Sequence, residues 1–299
     1  MYKIIYTYKK YKEEPMHITD YGIDMMMTSV CASNRFYETE LYCCKDSYDF
    51  FIKNEIPFTQ ITILDELSEI RKGENELWSW SKIVTMKYQN EPWIHLDFDS
   101  VITRPFDEED VDFSFGFPDF YVDSNNKSIT PFSIRHLEDI YLFWFDKLHS
   151  TPQSKTTWDF NQIPNASFMI CNSPQKIKEV IHKFEKDNRW IIDKENWDDY
   201  STDKIGELCC YFEQFLLTKY IKDSLLKTKI LKVDGYCNAS DDVKDILEND
   251  YMFIQNYIDN GYFHFPLYKI LKGDVLSNIF SLFWKTFKIK KEKKYKTPL

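Results

Sequence analysis

The chain alternates short apolar runs with segments whose apolar residues recur every three or four positions. Residues 3–8 (Lys-Ile-Ile-Tyr-Thr-Tyr) predict an opening strand, and residues 20–33, with Met25, Met26, Met27 and Val30, predict a helix begun by Thr19 or Asp20. Residues 40–44 predict a second strand, 46–54 a helix bearing Tyr48, Phe51 and Ile52, and 60–64 a third strand. Residues 78–88 predict a helix with Trp80, Ile83, Val84 and Met86 apolar, and the run from Trp93 predicts a fourth strand ending in Asp97. This βαβαβαβ order predicts an α/β fold with a mostly parallel central sheet flanked by helices. Further on, the pattern predicts strands at 113–117 and 167–171 and helices at 138–149, 174–186 and 208–220, with 187–202 as a polar, Trp-bearing loop over a cleft. No repeat or sharp linker interrupts it before residue 275, so one domain over 1–275 and a separate segment over 276–299 are expected.

The fourth strand leads into Asp97-Phe98-Asp99, followed by Ser100-Val101-Ile102. A strand alternates its side chains, so Asp97 and Asp99 are expected on one face with Phe98 on the other. Two carboxylates at the mouth of a buried strand form a hard-oxygen site suited to Mn²⁺ or Mg²⁺ carrying a diphosphate. Spacing alone is weak support: with 28 Asp in 299 residues, about two or three such matches arise by chance. Asp110-Val111-Asp112 is a second match, inside an acidic run that reads as a solvated loop. Only the first pair follows a buried-strand pattern. In open α/β sheets, ligands bind beyond the carboxyl ends of the strands, where this pair is expected.

Composition narrows the chemistry. The chain is 43% hydrophobic and 17% aromatic, enough for a large core, which argues against disorder over most of its length. Its seven glycines are never closer than twelve residues apart, which excludes both the GxGxxG dinucleotide loop and the P-loop. Any bound diphosphate must therefore be neutralised by a metal and by Lys or Arg. The seven cysteines include no CxxC, which points to reduced thiols in a cytoplasmic protein; no secretory signal or 18-residue apolar span is visible. Net charge is −10, although residues 285–299 alone carry seven lysines. An acidic body repels phosphate backbones, so nucleic acid is disfavoured as a partner.

With the strand-end acidic pair in place, the chain resembles metal-dependent glycosyltransferases of the GT-A (Rossmann-like) fold. In layout it is most similar to the retaining family that includes glycogenin and bacterial lipooligosaccharide galactosyltransferases. Four features match in order over residues 1 to about 272: Asp97-Phe98-Asp99 after a helix carrying Lys82, Asn165-Ala166-Ser167 before a central strand, Glu213-Gln214 in a later helix, and His264 with Lys269. Ser167 stands where that family has glycine, and the His264-to-Lys269 spacing is one residue short and lacks its glycine.

The resemblance implies a nucleotide-sugar donor, with a UDP-sugar favoured, and Mn²⁺ or Mg²⁺ held by Asp97, Asp99 and His264. It implies that Asp97 also holds the ribose or sugar, that Lys82 contacts donor phosphate or sugar hydroxyls, that Asn165 contacts the donor sugar or acceptor, and that Lys269 contacts the diphosphate. Thr7 and Tyr8, ending the first strand, are placed by the fold to meet the nucleoside. Glu213 and Gln214 are expected at the reacting face: they orient the sugar if configuration is retained, the favoured outcome, and Glu213 serves as the base if it is inverted. His264, between Phe263 and Phe265, reads equally as a core histidine, and Lys82 in its apolar helix needs a partner in either case. The acceptor is unknown; a glycan, a lipid-linked glycan or a protein fits. A nucleotidyltransferase or phosphohydrolase using the same carboxylates, or an inactive GT-A-like binding module, are the competing readings.

The segment 279–296 mixes Phe280, Leu282, Phe283, Trp284, Phe287 and Ile289 with lysines. Two readings stand: a peripheral contact with the inner, anionic face of a membrane, or a helix docked on the acidic body with a free lysine tail. The first predicts salt-sensitive flotation with anionic liposomes. Equal flotation of the full chain and of a variant ending at residue 276 would rule it out.

Overall fold

In a computed structural model, the described residues are 2–9, 20–69, 78–106, 110–116, 141, 143–144, 164–194, 202–231 and 262–264. The strands are β1 (Lys3–Tyr8), β2 (Glu38–Cys43), β3 (Gln60–Ile63), β4 (Trp93–Leu96), β5 (Ser100–Ile102), β6 (Phe113–Phe115), β7 (Phe168–Cys171), β8 (Thr228–Ile230) and β9 (Tyr262–His264). The helices are α1 (Asp20–Ser33), α2 (Lys45–Lys53), α3 (Asp65–Glu69), α4 (Trp78–Met86), α5 (Pro174–Lys194), α6 (Thr202–Cys210) and α7 (Leu217–Asp223). A π-helical segment, Tyr211–Leu216, joins α6 to α7.

Seven strands form one sheet in the order β3-β2-β1-β4-β7-β6-β8, and β5 and β9 pair separately. β1, β2, β3 and β4 are mutually parallel, β6 and β8 are parallel, and β7 alone runs against its neighbours β4 and β6. The expected α/β fold with a mostly parallel sheet is the one observed. A parallel sheet is buried on both faces, which explains why its strands read as continuous apolar runs. One face, with Ile4, Tyr6, Leu41, Ile94, Leu96 and Phe168, packs on Met26 and Val30 of α1. The other, with Ile5, Trp93, Met169, Phe113 and Phe115, packs on α4, α5, α6 and the π-helical segment. The result is a helix–sheet–helix sandwich whose strand ends β1 and β4 deliver the residues of interest.

The first half follows the sequence pattern to within a residue or two at each end. Three departures have clear causes. The fourth strand does not run through the acidic motif: β4 stops at Leu96, and the chain turns, with Ser100 N–H donating to the Asp97 carbonyl at 3.0 Å. α5 continues to Lys194, past the loop expected from residue 187. The apolar stripe Ile177, Ile181, Phe184 passes into a buried Asn188, whose Nδ2 donates to the Phe184 carbonyl at 2.8 Å, so a polar residue keeps the helical period. Of the helix expected at 138–149, Tyr141, Phe143 and Trp144 are helical and the rest lies outside the described residues. Outside them too lie Lys269, the boundary near residue 275 and the basic segment.

The third departure is Asp112, expected in a solvated loop. Asp112 instead ties β6, β7 and β8 together: its carboxylate accepts from Lys176 Nζ at 2.7 Å, from the Ser173 hydroxyl, and from Lys227 N at 3.0 Å, and its N–H donates to the Lys227 carbonyl at 2.8 Å. Lys176 and the Ser173 hydroxyl hold the acid's pKa down at about 2. A carboxylate with a depressed native pKa stabilises the fold at pH values above its ordinary value near 4, and that stability is lost as pH falls through 2. Because Lys176 is well exposed, solvent screening limits the contribution to about 1–2 kcal/mol. Asp112→Asn is therefore expected to lose about that much at pH 7 and to flatten the acid limb of stability between pH 4 and 2, as measured by urea unfolding across that range.

Candidate functional site

Four segments distant in sequence meet at the carboxyl end of β4: the β4–β5 turn, helix α4, the turn at Asn165–Ser167 before β7, and the π-helical segment. The β4–β5 turn carries the acids. Phe98 is buried among aromatic rings, stacked on Tyr6 at a centroid distance of 5.1 Å and on Phe51 at 6.0 Å. Its burial pins the turn to the α1 side of the sheet and leaves Asp97 and Asp99 half-buried on either side of it. Strand alternation therefore does not orient Asp99; the turn and its aromatic anchor do.

Lys82 is the centre of the site. It projects from α4 beside Trp80 and Ile83, and its side chain is only 8% exposed. Nζ lies 2.9 Å from both Asp97 oxygens, 2.8 Å from Glu213 Oε2 and 3.2 Å from the Ala166 carbonyl. Burial works to strip the proton from this amine, but Asp97 and Glu213 outweigh it and hold the ammonium protonated far above the usual lysine range. The donor contact expected for Lys82 is thus met, in this state, by three groups of the protein itself.

Glu213 and Gln214 reach the site because the helix widens at their position. All six residues of the Tyr211–Leu216 segment are buried, and π turns of this kind recur at functional sites. Gln214 Oε1 accepts from the Tyr141 hydroxyl at 3.3 Å, which ties it to a second aromatic layer on Phe215. Asn165 folds its own turn, with Oδ1 accepting from Ser167 N at 2.7 Å, so its oxygen is structural. The same turn offers the Ala166 carbonyl to Lys82 and the Ser167 carbonyl to Asp97 N at 2.8 Å. Gly116 permits this: a Cβ there would lie 2.5 Å from the carbonyl oxygens of Asn165 and Phe168.

The two residues at the end of β1 divide. Thr7 reaches the site, with Oγ1 3.5 Å from His95 Nε2. Tyr8 does not: alternation sends its ring to the opposite face, where it stacks on Phe50 and meets Phe51 edge-on, 7% exposed. Its ring is thus on the face of the sheet opposite Thr7 and His95. His264 is brought near the acids by its backbone, since β9 pairs antiparallel with β5 and sets His264 opposite Ser100, the residue after Asp99.

Three residues of the site were not singled out by sequence. His95 is 1% exposed, with Nδ1 3.8 Å from Asp97 Oδ1. Burial, with Lys82 nearby, pushes its pKa well below the usual histidine range, so the ring is neutral at pH 7. Its signal was present: two residues before Asp97 on a strand, it shares that residue's face. Gly116 and Tyr141 gave none, because their partners lie far away in sequence.

The donor set fits a divalent ion that comes with a diphosphate. Among the described residues no three His, Cys, Asp or Glu side chains converge as a closed metal cage. Mg²⁺-type sites rarely need one, being built from one or two carboxylates plus substrate phosphates. Asp97 and Glu213 share the ammonium of Lys82, and Asp99 follows in the same turn. Among the described residues the buried Nδ1 of His95 has no hydrogen-bond partner, and it lies 3.8 Å from Asp97 Oδ1.

Comparison with known proteins adds fold-level context. Residues 9–115 match a family model described as "Family of unknown function (DUF6734)", over less than half of the chain. No curated protein matches the chain significantly. Among solved structures, mouse xyloside xylosyltransferase 1 in its apo form is similar at 10% identity and a TM-score of 0.43, over 88% of this chain and 96% of that one. The inositol-1-phosphate CTP transferase of T. maritima is similar at 12% identity and 0.45, over 95% and 97%. A 4-diphosphocytidyl-2C-methyl-D-erythritol synthase from Anaerococcus prevotii is similar at 10% and 0.35, over 77% and 88%. With TM-scores this low, the reading of the site rests on its own geometry.

Removing the central cation tests that geometry. Lys82→Met leaves two carboxylates facing each other with no charge between them and is expected to cost about 3–5 kcal/mol. Adding Glu213→Gln to that variant is expected to recover part of the loss. Additive losses in a urea-unfolding double-mutant cycle would contradict the ion pair.

Proposed function

We propose that this chain is a metal-dependent glycosyltransferase acting on a nucleotide sugar. The observation that carries the reading is the Asp97-Phe98-Asp99 turn at the carboxyl end of β4, with Lys82 joining Asp97 to the buried Glu213. A divalent ion bound there would offset the negative charge that grows on a nucleoside diphosphate as it leaves the sugar. Asp97 and Asp99 are its ligands in this reading, with His264, set beside them by the β5–β9 pairing, completing the set. With no glycine phosphate loop in the sequence, the diphosphate would be anchored by an ion held on these acids and by Lys269 further on.

The chain's own residues do the rest by position. Lys82 holds Glu213 in place with a buried charge and clasps Asp97 until an ion is bound. Gln214, oriented by Tyr141, lies next to Glu213 on the same segment, and the two orient the donor sugar. Glu213 is committed to Lys82 through Oε2, which favours an orienting and charge-stabilising role and hence retention of configuration. Thr7 lies at the nucleoside end of β1. The acceptor is a glycan, lipid-linked glycan or protein, and a UDP-sugar is the favoured donor. Among the described residues no helix is long and apolar enough to cross a membrane; a peripheral membrane contact through 279–296 is part of this reading.

The test is Mn²⁺-dependent release of UDP from UDP-sugars, followed by the anomeric configuration of any product. The expected result is release or transfer that falls at least about 100-fold in Asp99→Ala. Release of pyrophosphate from CTP or UTP, with no turnover of nucleotide sugars, would replace this reading with nucleotidyl transfer.

A further inference from the structure

His95 is a buried polar group that the proposed chemistry has not used. It lies on β4 in register with Ile5 of β1 and Met169 of β7, enclosed by sheet on both sides and 1% exposed. Its ring faces two groups. Nε2 is 3.5 Å from the Thr7 hydroxyl, and Nδ1 is 3.8 Å from Asp97 Oδ1, too far for a hydrogen bond. Among the described residues Nδ1 has no hydrogen-bond partner. A buried nitrogen left without a partner is destabilising and calls for an explanation.

The surroundings supply one. The Thr7 hydroxyl can donate to Nε2, which leaves the ring's proton on Nδ1, the nitrogen 3.8 Å from Asp97 Oδ1. The Asp97 side chain is 31% exposed, against 8% for its partner Lys82, so it is the member of that pair with room to turn. As it stands, Lys82 occupies both Asp97 oxygens and fills the place of a cation. A turn of about 1 Å toward β4 would bring Oδ1 within hydrogen-bond distance of Nδ1 and loosen the Lys82 clasp. Lys82 would keep Glu213 and the Ala166 carbonyl.

We propose that His95 is a positioning residue for Asp97: its Nδ1–H receives the carboxylate when Asp97 leaves Lys82 to bind a divalent cation. Asp97 then has two settings, one clasped by Lys82 and one held between His95 and the cation. Thr7 acts through His95 by fixing its tautomer. Hydrogen bonding of this kind behind a ligating carboxylate orients it and strengthens binding. This inference rests on the metal–diphosphate reading of the site, and the experiment separates the two.

Mn²⁺ binding is measured by electron paramagnetic resonance titration in saturating UDP, for the full chain and for His95→Leu and His95→Asn. His95→Leu removes the donor and is expected to weaken Mn²⁺ binding about 10–100-fold. His95→Asn, whose amide N–H stands near the Nδ1 position, is expected to restore most of it. In parallel, the Nδ1–H proton resonance of His95 in the unmutated chain is expected to move downfield when Mg²⁺ and UDP are added together, and this arm holds even if His95→Leu fails to fold. Unchanged Mn²⁺ affinity in His95→Leu, equal losses in both variants, or an unmoved ring resonance in a protein that binds the ion would overturn the role of His95 alone. Failure of the unmutated chain to bind Mn²⁺ with UDP would overturn the metal reading itself, and this inference with it.

Discussion

One buried ammonium organises the working end of this molecule. Lys82 is carried into an apolar layer on α4, where an isolated charge would cost several kcal/mol. It is tolerated because Asp97, Glu213 and the Ala166 carbonyl surround it within 3.2 Å. Those partners come from the β4–β5 turn, the π-helical segment and the turn before β7. The charge therefore fixes the mutual positions of three segments that share no local sequence. Each must arrive correctly or leave a charge unpaired, and a mispaired buried charge costs more than any single apolar contact at this interface.

The rest of the fold makes that arrangement affordable. The two apolar faces of the sheet carry the stability, and polar groups collect where the strands end. Phe98 shows how the two are joined: its ring belongs to the aromatic cluster on the α1 side, and its neighbours in sequence are the two acids. Gly116 plays the matching part across the sheet, since any side chain there would push into the carbonyls of the turn that receives Lys82. Asp112 does similar work at the other end of β7, where one carboxylate joins three strands.

Much of this was legible in the sequence and some of it was not. The first half could be read because its strands are apolar runs and its helices keep a regular period, and both are local signals. The Asp97–Asp99 pair stood out for the same reason. Its geometry was misjudged because nothing local says that β4 ends at Leu96; that depends on β7, whose ladder starts at Phe168. The alternation that separates Thr7 from Tyr8 is readable from the six residues of β1. His95 was readable too, as the strand neighbour of Asp97 on one face. The antiparallel course of β7, the pairing of β9 with β5, the widened helix at Glu213 and the need for Gly116 are long-range facts that no window of sequence contains.

The central claim is that the Asp97–Asp99 turn binds a divalent ion with a nucleoside diphosphate. The most direct measurement is anomalous diffraction at the manganese edge from crystals grown with Mn²⁺ and UDP. The account predicts one strong peak about 2 Å from carboxylate oxygens of Asp97 and Asp99, beside the β5–β9 pair, with the diphosphate on its open side. A diphosphate bound elsewhere, or manganese absent from this turn while Asp97 stays clasped by Lys82, would contradict it.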